Sequence, residues 1–159
     1  MVFLGSLFGQ TSPVPAYPAL VGAEVTLAAG HSLDVRLDAG YEHGFLCDTG
    51  SLAAGGAMAQ PGEIMFQPAG ASAITLKASP SEPTRVLVLG GKPFGEQIVM
   101  WWNFIGRSHE EVAAFREEWQ RQRSGRTPGV PGRYGAFPDV WQHTLPAPEL
   151  PNVRLRSRG

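Results

Sequence analysis

Strict alternation of apolar and polar positions is clearest at residues 32–38, Ser-Leu-Asp-Val-Arg-Leu-Asp. Leu33, Val35 and Leu37 share one face, while Asp34, Arg36 and Asp38 share the other. A period of two belongs to a strand with one face on a core and one in water. Apolar runs at 63–67, 73–77, 85–89 and 97–102 predict further strands of the same meander. Val86-Leu87-Val88-Leu89 has no polar member, which predicts burial on both faces. Between these runs, Gly30, Gly40, Gly50, Gly62, Gly70, Pro80 and Gly90 recur at intervals of eight to twelve residues. That rhythm is the mark of an all-β sandwich or barrel. The apolar start, residues 1–9, precedes the first basic residue, Arg36, and reads as a buried first strand rather than a secretory signal.

The period changes at residue 108. Ser108-His109-Glu110-Glu111 is a capping box, in which Ser108 accepts from the amide of Glu111 and Glu111 reaches back. Val112, Phe115 and Trp119 then form one apolar stripe at helical spacing, and the helix should fade over 122–124, ahead of Gly125 and Pro128. Residues 125–159 are rich in Pro and Gly and predict an extended tail without a core of its own. Alternation in Val153-Arg154-Leu155-Arg156-Ser157-Arg158 predicts that the tail docks as an edge strand.

Composition narrows the function classes. At 159 residues the chain has the length of one domain, and Gly (20) with Pro (14) exceed a fifth of it, so helices should be few. Only 17% is charged, against a norm of roughly 25%. The lone cysteine, Cys47, excludes an internal disulfide and a Cys-rich zinc module. With no basic neighbour to stabilise a thiolate, it reads as a small buried hydrophobe. No segment approaches the roughly 18 apolar residues of a membrane span, and a cytoplasmic protein is the expectation. Residues 1–120 hold six basic and twelve acidic groups, whereas 121–159 hold seven Arg and two acids. That basic tail comes with no nucleic-acid motif, so nucleic acid is not an expected partner.

Chemistry is sparse. Gly62, Pro68 and Gly70 stand as Gly-x5-Pro-x-Gly, which resembles the second cupin motif. The resemblance implies an inward metal-binding His three residues on, but that position is Ala73. The first cupin motif implies His-x-His upstream, where the chain offers only Tyr41-Glu42-His43. The four histidines (31, 43, 109, 143) are never two, three or four residues apart, so nothing local supports a metal site. Glu42 and His43, at the mouth-like end of a strand, are a candidate pocket for a small anion or hydroxylated ring, and the plainer reading is a surface turn after Gly40. Trp101, Trp102 and Phe104 are a candidate interface. On a strand the two tryptophans would point to opposite faces, one of them into the core.

Residues 89–108, Leu-Gly-Gly-Lys-Pro-Phe-Gly-Glu-Gln-Ile-Val-Met-Trp-Trp-Asn-Phe-Ile-Gly-Arg-Ser, resemble the end of the C-terminal cupin domain in the pirin family. Gly5-Ser6-Leu7-Phe8-Gly9 with Ser12-Pro13, and Leu145-Pro146-Ala147-Pro148 with Leu150-Pro151, extend the resemblance to nearly the whole chain. It implies one half of a bicupin whose iron-type site, three histidines and a glutamate, belongs to the N-terminal barrel. It also implies links to flavonol (quercetin-type) dioxygenation and to redox-linked regulation. This chain begins where the C-terminal barrel would begin, so no catalytic or metal residue carries over.

The expected architecture is an all-β, cupin-type sandwich or jelly-roll barrel over 1–106. A capped helix over 107–124 should pack on it, and a Pro-rich tail over 125–159 should belong to the same domain. The expected function is metal-free and non-catalytic: a structural cupin that binds a partner or a small aromatic ligand. No cofactor is expected in this chain, no membrane, and self-association or a second cupin chain as partner. The alternative is a pirin-like quercetin-type dioxygenase, alone or completed by another chain. Acting alone, it needs iron, manganese, copper or nickel at a site rebuilt from His43, Glu42 and a distant histidine.

Overall fold

The period-two stretches become strands, all paired antiparallel, in a computed structural model that describes residues 1–124, 134 and 144–157. The chain divides into two compact units, Met1–Pro93 and Phe94–Gly159. The first unit runs β1 (Val2–Leu4), β2 (Ser6–Leu7), β3 (Gln10–Thr11), β4 (Leu20–Leu27), β5 (Ser32–Arg36) and β6 (Glu42–Thr49). It continues through β7 (Leu52–Ala54), β8 (Ala57–Ala59), β9 (Ile64–Gln67), β10 (Ala73–Ala78) and β11 (Thr84–Gly91). Five strands pair in the order β1-β4-β11-β6-β9 and four in the order β5-β10-β7-β8. The sheets stay separate rather than closing into one barrel. One core joins them: Ala23, Val25, Phe45, Val86 and Val88 from the larger sheet meet Val35, Leu52, Leu76 and Ala78 from the smaller. Each fully buried side chain of this kind contributes roughly 1.5–3 kcal/mol.

Inward positions alternate with outward ones on every long strand, and this corrects the expectation for β11. Val86 and Val88 are fully buried, whereas Leu87 is half-buried and Leu89 is 38% exposed. The apolar run lies on a sheet with only one face in the core. At the N-terminus β1 is a half-buried edge strand, with Val2 packed on the core and Phe3 exposed.

The second unit starts with a hairpin, β12 (Val99–Trp101) and β13 (Phe104–Gly106), followed by α1 (His109–Ser124). Strand 97–102 is therefore shorter than expected and belongs to its own two-stranded sheet, not to the meander. Trp102 leaves the strand and takes φ +50° in the hairpin turn. The helix is capped as the sequence predicts. Ser108 Oγ accepts from the Glu111 amide at 3.2 Å, while Glu111 Oε2 accepts from the Arg107 amide at 2.7 Å, one residue before the cap. Val99, Phe104, Val112 and Ala147 form this unit's core, with Trp101, Trp102, Phe115, Trp119 and Leu155 packed around it. Residues 153–157, the described part of the edge strand expected over 153–158, do not form it. They are held instead by the Leu155 amide donating to His109 Nδ1 and by the Arg154–Glu110 ion pair; Arg158 lies outside the described residues. Among the described residues, no helix is long and apolar enough to cross a membrane.

Candidate functional site

Among the described residues, strand β6 carries the one inward-facing histidine. Alternation sends His43, Phe45 and Cys47 between the sheets and Glu42 to the opposite face. His43 is 3% exposed, so the expected surface turn is in fact a buried strand position. Its ring lies between two aromatic neighbours, with centroids 6.1 Å from Tyr41 and 6.3 Å from Phe45, both stacked. Gly90 sits opposite on β11, where a Cβ would come within 2.8 Å of His43 Cδ2. The glycine thus makes room for the ring.

His43 Nδ1 is buried without a hydrogen-bond partner. Leaving such an atom unpaired costs about 1–3 kcal/mol. Burial pushes the imidazole pKa below its ordinary value, while the Asp38 carboxylate and the Tyr41 backbone pull it partway back. The ring is therefore neutral at pH 7 and can take or give one hydrogen bond.

Tyr41 links this ring to an open cleft of about 440 Å³ at the same end of the sandwich, lined among others by Ser6, Thr11, Ser12, Asp38 and Tyr41. The Ser6 and Thr11 hydroxyls bond each other at 2.8 Å and Ser12 Oγ donates to the Phe3 carbonyl, which leaves Tyr41 and the Asp38 carboxylate as the groups best placed for a small hydroxylated ligand. Asp38 Oδ1 already accepts from the Gly40 amide at 2.8 Å, which fixes the turn that presents Tyr41. Asp38 and Tyr41 escaped the sequence reading because only the turn brings them to the cleft.

A resident metal ion does not fit these residues. Among the described residues, no group of three His, Cys, Asp or Glu side chains could hold one. Glu42 and His43 are divided between opposite faces of β6. His31 lies beyond the far end of β4, and its Nδ1 is within hydrogen-bond reach of the Ala29 carbonyl. His109 belongs to the second unit's helix start, and His143 lies outside the described residues. Ala73, at the position where the motif implies an inward ligand, points outward beside Arg36, because the inward positions of β10 are Ile74, Leu76 and Ala78. Cys47 is fully buried with its thiol directed at the Thr49 and Gly50 carbonyls. Burial raises its pKa, which keeps the thiol protonated and inert.

The candidate interface aromatics are largely occupied within their own unit. Phe104 is buried, and Trp101 and Trp102 are half-buried with ring centroids 6.4 and 5.6 Å from it.

Residues 22–125 match the family model described as the Pirin C-terminal cupin domain. The chain is 36% identical, over 141 residues, to a Pseudomonas aeruginosa protein whose name assigns it provisionally as a quercetin 2,3-dioxygenase. That match covers 87% of this chain and 44% of the relative. A crystal structure of quercetin 2,3-dioxygenase from Acinetobacter baumannii superposes with a TM-score of 0.77 at 28% identity, covering 98% of this chain and 48% of that one. A second structure from the same organism, at 18% identity and TM-score 0.71, has the same fold. The chain spans about half the length of the relatives it matches.

Proposed function

Since the chain belongs to the pirin family through its C-terminal cupin domain, we propose that it forms one half of a quercetin-type 2,3-dioxygenase assembly and leaves metal chemistry to a second cupin barrel. The observation that carries this reading is the 36% identity to the Pseudomonas relative over most of the chain but less than half of that protein. The donor set supports the division of labour. Among the described residues His43 is the one inward histidine, and the motif position at 73 is a methyl group on the outward face of its strand. What this half contributes is binding and exclusion of water. The cleft offers a hydroxylated ring the Tyr41 side chain and the Asp38 carboxylate, while its Ser6 and Thr11 hydroxyls bond each other at 2.8 Å and Ser12 Oγ donates to the Phe3 carbonyl; the Tyr41 ring stacks on His43 behind it.

A non-catalytic cupin that binds a small aromatic ligand is the second reading, favoured by the same cleft. Both readings predict less than about a tenth of an equivalent of iron, manganese, nickel or copper in the desalted chain after loading, measured by plasma mass spectrometry. They part when the chain is combined with a histidine-bearing cupin chain. Quercetin consumption by the pair, absent from either chain alone, supports the dioxygenase half. Quercetin binding without consumption supports the second reading. Close to one equivalent of a single metal with turnover by this chain alone overturns both, and His43→Ala should then abolish it.

A further inference from the structure

We propose that the cleft beside Tyr41 selects the neutral, protonated form of a ring hydroxyl, and that the Asp38 carboxylate decides this selection. The inference deepens the small-ligand reading of the cleft and rests on it, but it makes no use of metal chemistry or turnover. Asp38 and Tyr41 are the two ionisable side chains in the lining, and His43 stands behind the Tyr41 ring. Among the described residues, no Lys or Arg lines the cleft, so the charge it presents is one carboxylate.

That carboxylate is held in place and half used. Oδ1 accepts from the Gly40 amide at 2.8 Å, and the Asp38 carbonyl accepts from the Tyr41 amide at 3.0 Å. The same turn is tied down by the Ala39 carbonyl, which accepts from the Gly70 amide at 2.7 Å. Among the described residues, Oδ2 has no hydrogen-bond partner. An anchored carboxylate oxygen accepts a hydrogen bond without first having to be ordered, and it cannot donate one. A phenol supplies the proton that bond needs. A phenolate has none, and it brings a second negative charge to the first.

The facing wall offers an anion no compensation. The Ser6 and Thr11 hydroxyls are engaged with each other, and Ser12 Oγ donates to the Phe3 carbonyl while accepting from the Val14 amide at 3.1 Å. Val14, Ala16 and Pro18 add apolar surface. Gly5 lets this wall close up, since a Cβ there would lie 1.9 Å from the Leu20 carbonyl oxygen. A phenolate entering the cleft would shed water and meet no cation in its place. The second unit provides the contrast. Its cleft of about 420 Å³ is lined by Arg107, Arg154, Arg156 and His109, with Glu96 and Glu110 pairing the first two. Guanidiniums line one cleft and a carboxylate the other.

4-Nitrophenol, whose hydroxyl ionises near neutrality, tests this on the full chain. Its Kd is measured by titration calorimetry at about pH 6.5 and about pH 8.5, a window clear of the ordinary ranges of carboxylic acids and tyrosine. Burial holds His43 neutral across it. The wild type should bind at least about tenfold more weakly at the higher pH, having lost one charge-assisted hydrogen bond and gained a like-charge contact. Binding in this cleft should shift the His43 imidazole resonances, because that ring stacks on Tyr41. Asp38→Asn keeps an oxygen for the Gly40 amide and puts an NH₂ donor in the place of Oδ2, so its two Kd values should agree within about threefold. If that variant fails to fold, two probes of fixed charge carry the test on the wild type. Phenol should bind equally at both pH values, and benzoate should shift His43 at neither. Equal affinity for 4-nitrophenol at both pH values, or discrimination that Asp38→Asn retains, overturns the proposal and leaves the cleft as a ring site. Binding that shifts His109 but not His43, or no binding at all, overturns the ring-binding reading of the cleft with it.

Discussion

At the scale of single residues, His43 concentrates the consequences. It spends a histidine, a type usually placed where its charge can change, on a position 97% buried, since its exposure is 3%. In the unfolded chain the imidazole takes its proton near pH 6.5; in the folded chain burial lowers that value. Between the two values the unfolded state binds more protons. The stability contribution is therefore fully present above pH 6.5 and is lost as pH falls from there toward the folded value. Urea midpoints measured at about pH 7.5 and about pH 5 should fall further in the wild type than in His43→Phe, which keeps the ring stack without the titration. Equal falls would exclude His43 as the cause. The sequence disclosed the residue but not its setting. A lone His after Gly40 reads as a turn, because nothing in Tyr41-Glu42-His43 announces that Gly90, nearly fifty positions on, supplies the space for its ring. Ala73 misled in the opposite sense: a motif skeleton fixes spacing, but strand alternation decides which face the position serves.

At the scale of elements, legibility followed the strength of the local signal. The capping box at Ser108 was legible because both partners stand within four residues, and the structure forms the Ser108–Glu111 bond. Ser108→Ala should destabilise the start of the helix by about 1 kcal/mol. The Glu111 amide, which loses its acceptor, should exchange with solvent roughly fivefold faster in a hydrogen-exchange experiment; an unchanged rate would mean that Glu111, bound to the Arg107 amide, holds the turn by itself. Residues 97–102 were less legible, because a hairpin turn at Trp102 needs a positive φ that costs a non-glycine residue roughly 1–2 kcal/mol. Sequence reasoning does not place a bulky aromatic there. The structure does so because the Trp102 ring packs on Phe104, and that packing offsets the strain. The run 86–89 failed for another reason. Four apolar residues in a row do not reveal that the sheet has only one face in the core, which leaves Leu87 half-buried and Leu89 exposed on the other.

At the scale of the molecule, the split between an acidic body and a basic tail invites a polyanion as partner, and the described contacts argue against one. Arg121 pairs with Glu118 and Arg154 with Glu110, while Arg123 donates to the Thr144 carbonyl. Earlier in the same unit, Arg107 pairs with Glu96 and Arg116 donates to the Pro148 carbonyl. A guanidinium already engaged within its own chain must give up that bond to neutralise a phosphate, so less of the counterion-release free energy is gained on binding nucleic acid. The ion pairs are solvent-exposed and individually worth about 0–1 kcal/mol, so what they fix is the course of the tail rather than the stability of the fold. A short DNA duplex at about 150 mM salt should therefore show no retardation with the chain at micromolar concentration, where a protein making several phosphate contacts would bind. Retardation that falls steeply with added salt would mean that these arginines exchange carboxylates for phosphates.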